Sequence, residues 1–316
     1  MRLLAGALFA LAFANSYGQM TVDHPYNGLD RPLWVNVQAP KSAKDIEIQL
    51  LKPVSAQVEM VAPVKAGKQD LGKLFPSLWS PKSVGFHYAQ LLVDGKKVGP
   101  AVVLQPMLNP TISRLKDDKK TVEFIVDEDG PLFNGYRAYV DQNIVIDTDF
   151  GQMEFRTRPD AAPNTTWNIM QLALGELYTN TIFHRVVAKR ADGTPFVIQG
   201  GDPAGTGSGS AGFAYPLEDS PLEHDFGVLS IARSTDPNTN GCQFFVCLSR
   251  EGTKHLDHKY ASFGQCIRGG DVILKIGAVP VGDQDRPKNP PIIKRVYLVN
   301  AKPYGEGPEP LKRPAQ

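Results

Sequence analysis

Phe183-His184-Arg185-Val186, then Phe196-Val197-Ile198-Gln199-Gly200-Gly201-Asp202, then Pro237-Asn238-Thr239-Asn240-Gly241-Cys242-Gln243-Phe244-Phe245 are the stretches on which the fold of this chain turns. One arginine, Arg185, sits inside an apolar run with β character, and Phe, Val and Gln recur nearby at strand alternation. Neighbouring strand residues face opposite sides. If Arg185 faces a ligand, His184 faces inward and is expected as a hydrogen-bonded core residue. An apolar patch beside one fixed cation suits an apolar ligand that carries a single polar group.

Short strands surround these stretches. Ala138–Val140, Ile144–Thr148, Phe150–Phe155, Ile182–Val187, Phe196–Gly200, Val228–Ala232, Gln243–Leu248, Tyr260–Gly264 and Ile292–Val299 all read as β. Pro163 can open a helix, because its missing N–H is not needed in the first turn, and Gly175 suits the end of it. Trp167, Met170, Gln171 and Leu174 fall on one face of that helix, and Trp167 and Met170 are expected in the core. Asp271 is expected to cap a second helix over Val272–Ile276. Many strands and two helices predict a closed antiparallel barrel, which leaves no sheet edge exposed. Gly207-Ser208-Gly209-Ser210-Ala211-Gly212 matches the dinucleotide fingerprint in form only, since no strand-to-helix unit encloses it.

The N-terminal third is also β. Leu33–Val37, Ile46–Leu51, Val58–Val61 and Tyr88–Val93 alternate, and Asp94-Gly95 is a hairpin signal. A β-sandwich-like domain is expected over residues 19–115, with 116–135 as a linker or shared strand. It carries no catalytic constellation and is read as a contact for a protein partner. Residues 136–302 are assigned to the second domain, and 303–316, rich in Pro and Gly, to a disordered tail. Residues 1–18 read as a signal peptide: a basic start, an apolar run too short to span a bilayer, and small residues at the cleavage position. The mature protein is therefore expected to be exported, to the periplasm in preference to full secretion, with no membrane insertion after cleavage. A net charge of +1 without a basic block argues against nucleic acid. Cys242, Cys247 and Cys266 are too few and wrongly spaced for a disulfide framework or a zinc site. They read as small buried hydrophobes, with a Cys247–Cys266 pair left open for an oxidising compartment.

From about Tyr136 to Val299 the chain resembles a cyclophilin-type peptidyl-prolyl cis-trans isomerase. The resemblance is carried by Phe183-His184-Arg185-Val186, Gln199-Gly200-Gly201-Asp202, Gly205-Thr206-Gly207, Leu229-Ser230-Ile231-Ala232, Pro237 to Phe245 and Phe263-Gly264, in family order with near-family spacing. It implies an eight-stranded antiparallel barrel capped by two helices, with the active groove outside. It implies that Arg185 is catalytic, with Gln199 holding the substrate backbone. Phe196, Val197, Phe245 and Leu256 would form the proline pocket, and Ala232 and Arg233 would contact the peptide main chain. Gly205 and Gln243 would line the neighbouring groove. Tyr260 stands where well-known eukaryotic members have histidine and can still wall the pocket. His255 stands where many members have the tryptophan that favours cyclosporin, so tight cyclosporin inhibition is not expected. The loop from Ala188 to Pro195 is longer than usual.

The activity so implied is rotation of X–Pro peptide bonds in unfolded or flexible exported proteins, assisting their folding, with no metal or cofactor. An alternative is a non-catalytic groove that docks a proline-containing partner protein. Strand alternation alone would make Arg185 a surface ion pair.

Overall fold

A computed structural model describes residues 18–80, 84–109, 112–115, 117, 122–125 and 132–314. The expected signal peptide lies outside the described residues except for Gly18, as does most of the expected linker.

The N-terminal region is built from two sheets around a shared core. One sheet orders Tyr26–Gly28, Phe133–Val140, Val102–Leu108, His87–Val93, Ile46–Leu51 and Val58–Pro63, with Lys96–Lys97 added to His87–Val93. The other orders Gln19–Val22, Trp34–Gln38 and Gly67–Asp70. Met20, Val35 and Val37 of the small sheet meet Ile48, Leu50, Ala89 and Leu91 of the large one. The Asp94-Gly95 turn takes positive φ at both residues, 49° and 75°. That is the two-residue hairpin conformation that asparagine, aspartate and glycine favour. The Asp94 carboxylate also accepts from the amides of Lys44 and Asp45 at 2.8 and 3.0 Å. Ile112–Leu115 and Val122–Ile125 pair only with each other, outside both sheets.

The second region is one antiparallel sheet, ordered Thr181–Ile182, Ile292–Asn300, Gln142–Thr148, Gly151–Thr157, Ser262–Arg268, Val228–Ile231, Phe244–Cys247, Val197–Gly200 and Arg185–Val187. Its first and last strands are consecutive in the chain, parted only by Phe183 and His184. The run expected as one strand, Ile182–Val187, is thus broken at a corner, which makes nine segments where eight were expected. The sheet curls until its ends meet at that corner, while its recorded ladder ends at Thr181–Ile182 and Arg185–Val187. Phe155, Phe183, Phe244 and Phe263 fill the interior and are wholly buried, each contributing about 1.5–3 kcal/mol. Helices Pro163–Leu174 and Gly270–Gly277 pack against it. The second is capped by Gly269 rather than by Asp271, which lies in the first turn and pairs with Lys275 at 2.8 Å. A Cβ on Gly269 would come within 2.2 Å of the Gln152 carbonyl, so only glycine fits there.

Three further expectations are revised. Phe133–Val140, placed from Tyr136 in the second domain, pairs with the N-terminal sheet and runs on through Asp141 into Gln142–Thr148 of the other. Of the tail expected as disordered from residue 303, the described residues, 303–314, pack on the rest of the protein. Tyr304 stacks on Tyr88 with 3.7 Å between ring centres, its amide donates to Gln90, and its hydroxyl accepts from the Val54 amide. Leu311 then donates to the Cys266 carbonyl. Proline and glycine remove local propensity, but tertiary partners supply what local signals lack. Finally, all three cysteines are buried free thiols, and Cys247 and Cys266, left open as a pair, belong to different cores and are not bonded to each other.

Candidate active site

Strand alternation divides the sheet into two apolar cores. Val186, Ile198, Phe244 and Val246 point into the interior. Val187, Val197, Phe245 and Cys247 point outward and join Ala232 and Leu256 in a second, smaller cluster. Register places Arg185 opposite Gln199, Gln199 opposite Phe245, and Phe245 opposite Ser230. One row across three strand pairs therefore carries a cation, an amide and an aromatic ring on the outer face.

At this row the outer cluster opens into a cavity of about 110 Å³. Val197, Ala232, Phe245 and Leu256 are its apolar floor, Phe196 and Tyr260 its aromatic walls, and Arg185, Gln199 and Arg233 its polar rim. Its volume is well below the roughly 300–1,000 Å³ of sites for drug-sized ligands, and suits one small ring. Tyr260 meets Phe245 edge-on, with centroids 5.7 Å apart. Phe196 is stacked by His255, and Arg190 lies 5.3 Å above the Phe196 ring while donating to His255 at 3.1 Å. Burial, aided by Arg190, lowers the His255 pKa, consistent with its acceptor role. The long loop after Val187 thus ends as one wall of the cavity.

The polar rim is held from behind. Gln199 donates to Gln243 at 3.1 Å, and Gln243 donates to the carbonyls of Gly207 and Gly209 at 3.1 and 2.9 Å. Those glycines belong to a loop wound round Asp202, whose carboxylate accepts from the amides of Ala204, Thr206, Gly207 and Gly209. Burial works against the Asp202 charge, but these amides outweigh it and its pKa falls. A Cβ on Gly209 would lie 1.9 Å from Asp202 Oδ1, so the loop needs glycine there. On the other side, Arg185 Nη2 lies 3.3 Å from Asp285, with both side chains about two-fifths exposed (42% and 41%).

A larger groove of about 670 Å³ adjoins the cavity and shares Gln199, Ala232 and Arg233 with it. Gln243 lines this groove. Gly205 does not: its carbonyl accepts from Arg286 at 2.8 Å, and its α-carbon faces Ile182. His184 is buried beside the equally buried Phe183, at the corner and not in a strand, and among the described residues neither of its ring nitrogens has a hydrogen-bond partner, so the hydrogen-bonded core role expected for it is not found. Burial lowers its pKa and favours the neutral ring.

Sequence reasoning missed the support behind Phe245. His224, wholly buried, stacks on Phe245 at 5.9 Å and 16°. Its Nε2 lies 2.9 Å from Ser230 Oγ and its Nδ1 3.1 Å from Asp257, which also pairs with Arg250 at 2.6 Å. Ser230 is itself wholly buried, so this Asp–His–Ser line supports the cavity floor and offers no accessible nucleophile. Asp285 was missed too. Neither residue lies in a periodic segment, and only the acidic type of Asp257 and Asp285 could have hinted at a cation nearby.

Comparison with known proteins places this geometry. A model of the family described as cyclophilin type peptidyl-prolyl cis-trans isomerase/CLD matches residues 143–298. The chain is 39% identical over 165 residues to peptidyl-prolyl cis-trans isomerase-like 1 of Gibberella zeae, covering 51% of this chain and 93% of that protein. It is 38% identical over 172 residues to the protein of the same name from Aspergillus fumigatus, covering 53% and 98%. A crystal structure of a Cryptosporidium parvum cyclophilin type peptidyl-prolyl cis-trans isomerase, obtained in the presence of the dipeptide Ala-Pro, is 34% identical, covers 50% of this chain and 99% of that one, and gives a TM-score of 0.46. With the near full-length match to its relatives added to the row of Arg185, Gln199 and Phe245, the chain belongs to the cyclophilin-type peptidyl-prolyl cis-trans isomerases.

Proposed function

We propose that this isomerase rotates X–Pro bonds in unfolded or flexible segments of exported proteins and so assists their folding. The observation that carries the reading is the row in which Arg185 and Gln199 stand beside an apolar cavity sized for one small ring. Resonance gives the X–Pro bond a rotation barrier of about 18–20 kcal/mol. Twisting the bond ends that resonance and leaves a lone pair on the proline nitrogen. The Arg185 guanidinium can donate to that lone pair, which exists only in the twisted state, so the interaction lowers the barrier rather than merely tightening binding. Gln199 can hold the moving carbonyl while Phe245, Leu256 and Val197 anchor the ring. The Asp285 pair is half exposed and worth little. It keeps Arg185 over the cavity and yields when substrate arrives.

The exported setting rests on the sequence of residues 1–18. Among the described residues no helix is long and apolar enough to cross a membrane. Uncatalysed isomerisation takes on the order of tens to hundreds of seconds and can limit folding, which gives such an enzyme its use.

The test is an isomerisation assay on a short Xaa-Pro peptide with wild type and Arg185→Ala. Losing one donor aimed at a transition state costs about 10²–10³-fold in rate, and a loss of that order is expected in kcat/KM. A second reading is a groove that docks a proline-containing partner without turnover. It predicts no acceleration by folded wild type.

A further inference from the structure

Arg233 stands where the small cavity and the larger groove meet, and among the described residues it is the only charged side chain lining the groove. The rest of that lining is small, polar or apolar: Ser208, Ser210, Phe213, Ser234, Thr239 and Gln243 among others. The guanidinium carbon lies over the Tyr260 ring, 4.4 Å from its centre. Its Nε and Nη2 donate to the Lys259 carbonyl at 3.2 and 2.9 Å, and its Nη1 to the carbonyls of Ser234 and Thr235 at 2.9 and 3.2 Å.

Those contacts fix the side chain without cancelling its charge. Carbonyl oxygens satisfy donors but carry no net charge, and among the described residues no carboxylate lies within ion-pairing distance of Arg233. Arg185, by contrast, has Asp285. A guanidinium has five N–H donors; four are used, and one on Nη2 is left. An arginine held this way has already lost its rotamer freedom, so a further partner meets little ordering cost.

We propose that Arg233 forms a subsite for an acidic side chain, and that the enzyme prefers X–Pro bonds with Asp or Glu within two residues of the proline. This rests on the isomerase reading above. The cavity takes the ring, the adjoining groove takes the neighbouring residues, and the free donor on Nη2 meets the carboxylate at the junction. Arg233 thereby acts on the choice of substrate, apart from any main-chain contact it makes.

The experiment measures isomerisation of matched peptides carrying Glu or Gln at each of the two positions before and the two positions after proline. The quantity read is the Glu-to-Gln ratio of kcat/KM within one protein, so any change in basal activity cancels. A charge-assisted hydrogen bond at a partly exposed site is expected to give a ratio of about fivefold or more at one position in low salt. Arg233→Gln should bring that ratio to about one. If the variant does not fold, wild type decides: raising salt should compress the ratio toward one, as screening requires. A ratio near one at every position in wild type, or a ratio unchanged by Arg233→Gln or by salt, overturns the proposal. Failure to accelerate either peptide overturns the isomerase reading instead.

Discussion

Gln243 holds Gln199 at 3.1 Å and grips the carbonyls of Gly207 and Gly209 with the same amide, so the residue opposite Arg185 is fixed by a loop it never touches directly. Gln243→Ala frees Gln199 to rotate and releases the loop. Of the three hydrogen bonds lost, the one to Gln199, about 0.5–1.5 kcal/mol, translates into a several-fold fall in kcat/KM. Circular dichroism should show the fold unchanged.

His224 is expected to matter more for stability than for chemistry. His224→Ala removes the ring behind Phe245 and strands Ser230 and Asp257 in or near the core. A cavity plus buried unpaired groups costs about 2–5 kcal/mol, to be measured by urea denaturation. His224→Phe should recover the packing with Phe245 but not the polar contacts, and fall between the two.

Asp141, at the junction of the two sheets, has its pKa pushed up to about 7 by burial, against the pull of Arg156 and with Asp160 adding to the rise. In the unfolded chain an aspartate titrates near 3.9. Between those values the folded state binds the extra proton, so this group favours folding below about pH 4 and loses that contribution as pH rises through 7. Asp141→Asn should therefore gain stability over wild type by on the order of a few kcal/mol at pH 8. The gain should shrink toward zero at pH 4. Equal gains at both pH values would contradict the assignment.

Tyr304→Ala tests the segment after Asn300. It removes the stack on Tyr88 and the acceptor for Val54. Truncating a packed aromatic costs about 3–5 kcal/mol; with the Tyr304 ring partly exposed, about 2–3 kcal/mol is expected. Amide exchange should rise first in the strand His87–Val93, whose Tyr88 loses its cover.

The parts that could be read in the sequence were those with local periodicity. Alternation made Arg185 a surface residue, and the Asp94-Gly95 pair announced its turn. The resemblance supplied Phe196, Val197, Ala232, Phe245, Leu256 and Tyr260, which do surround one cavity with Arg185. Contacts made across long sequence separations were not legible. Asp285 reaches Arg185 from 100 residues away, and Tyr304 reaches Gln90 from 214. Nothing in the residues around either one marks the partner. Phe133–Val140 misled for a related reason: a strand followed after one residue by a strand of another sheet has the same alternation whichever sheet it joins.

The Tyr304 contacts also set an order in time. Chains generally fold from the N-terminus as they are made, yet Tyr88 and Gln90, early in the chain, meet their partner only once residues near 304 have been synthesised. Until then the first sheet keeps one aromatic face open to solvent. A nascent chain would therefore complete the packing of its early strands from behind, when the residues near 304 arrive and close over Tyr88.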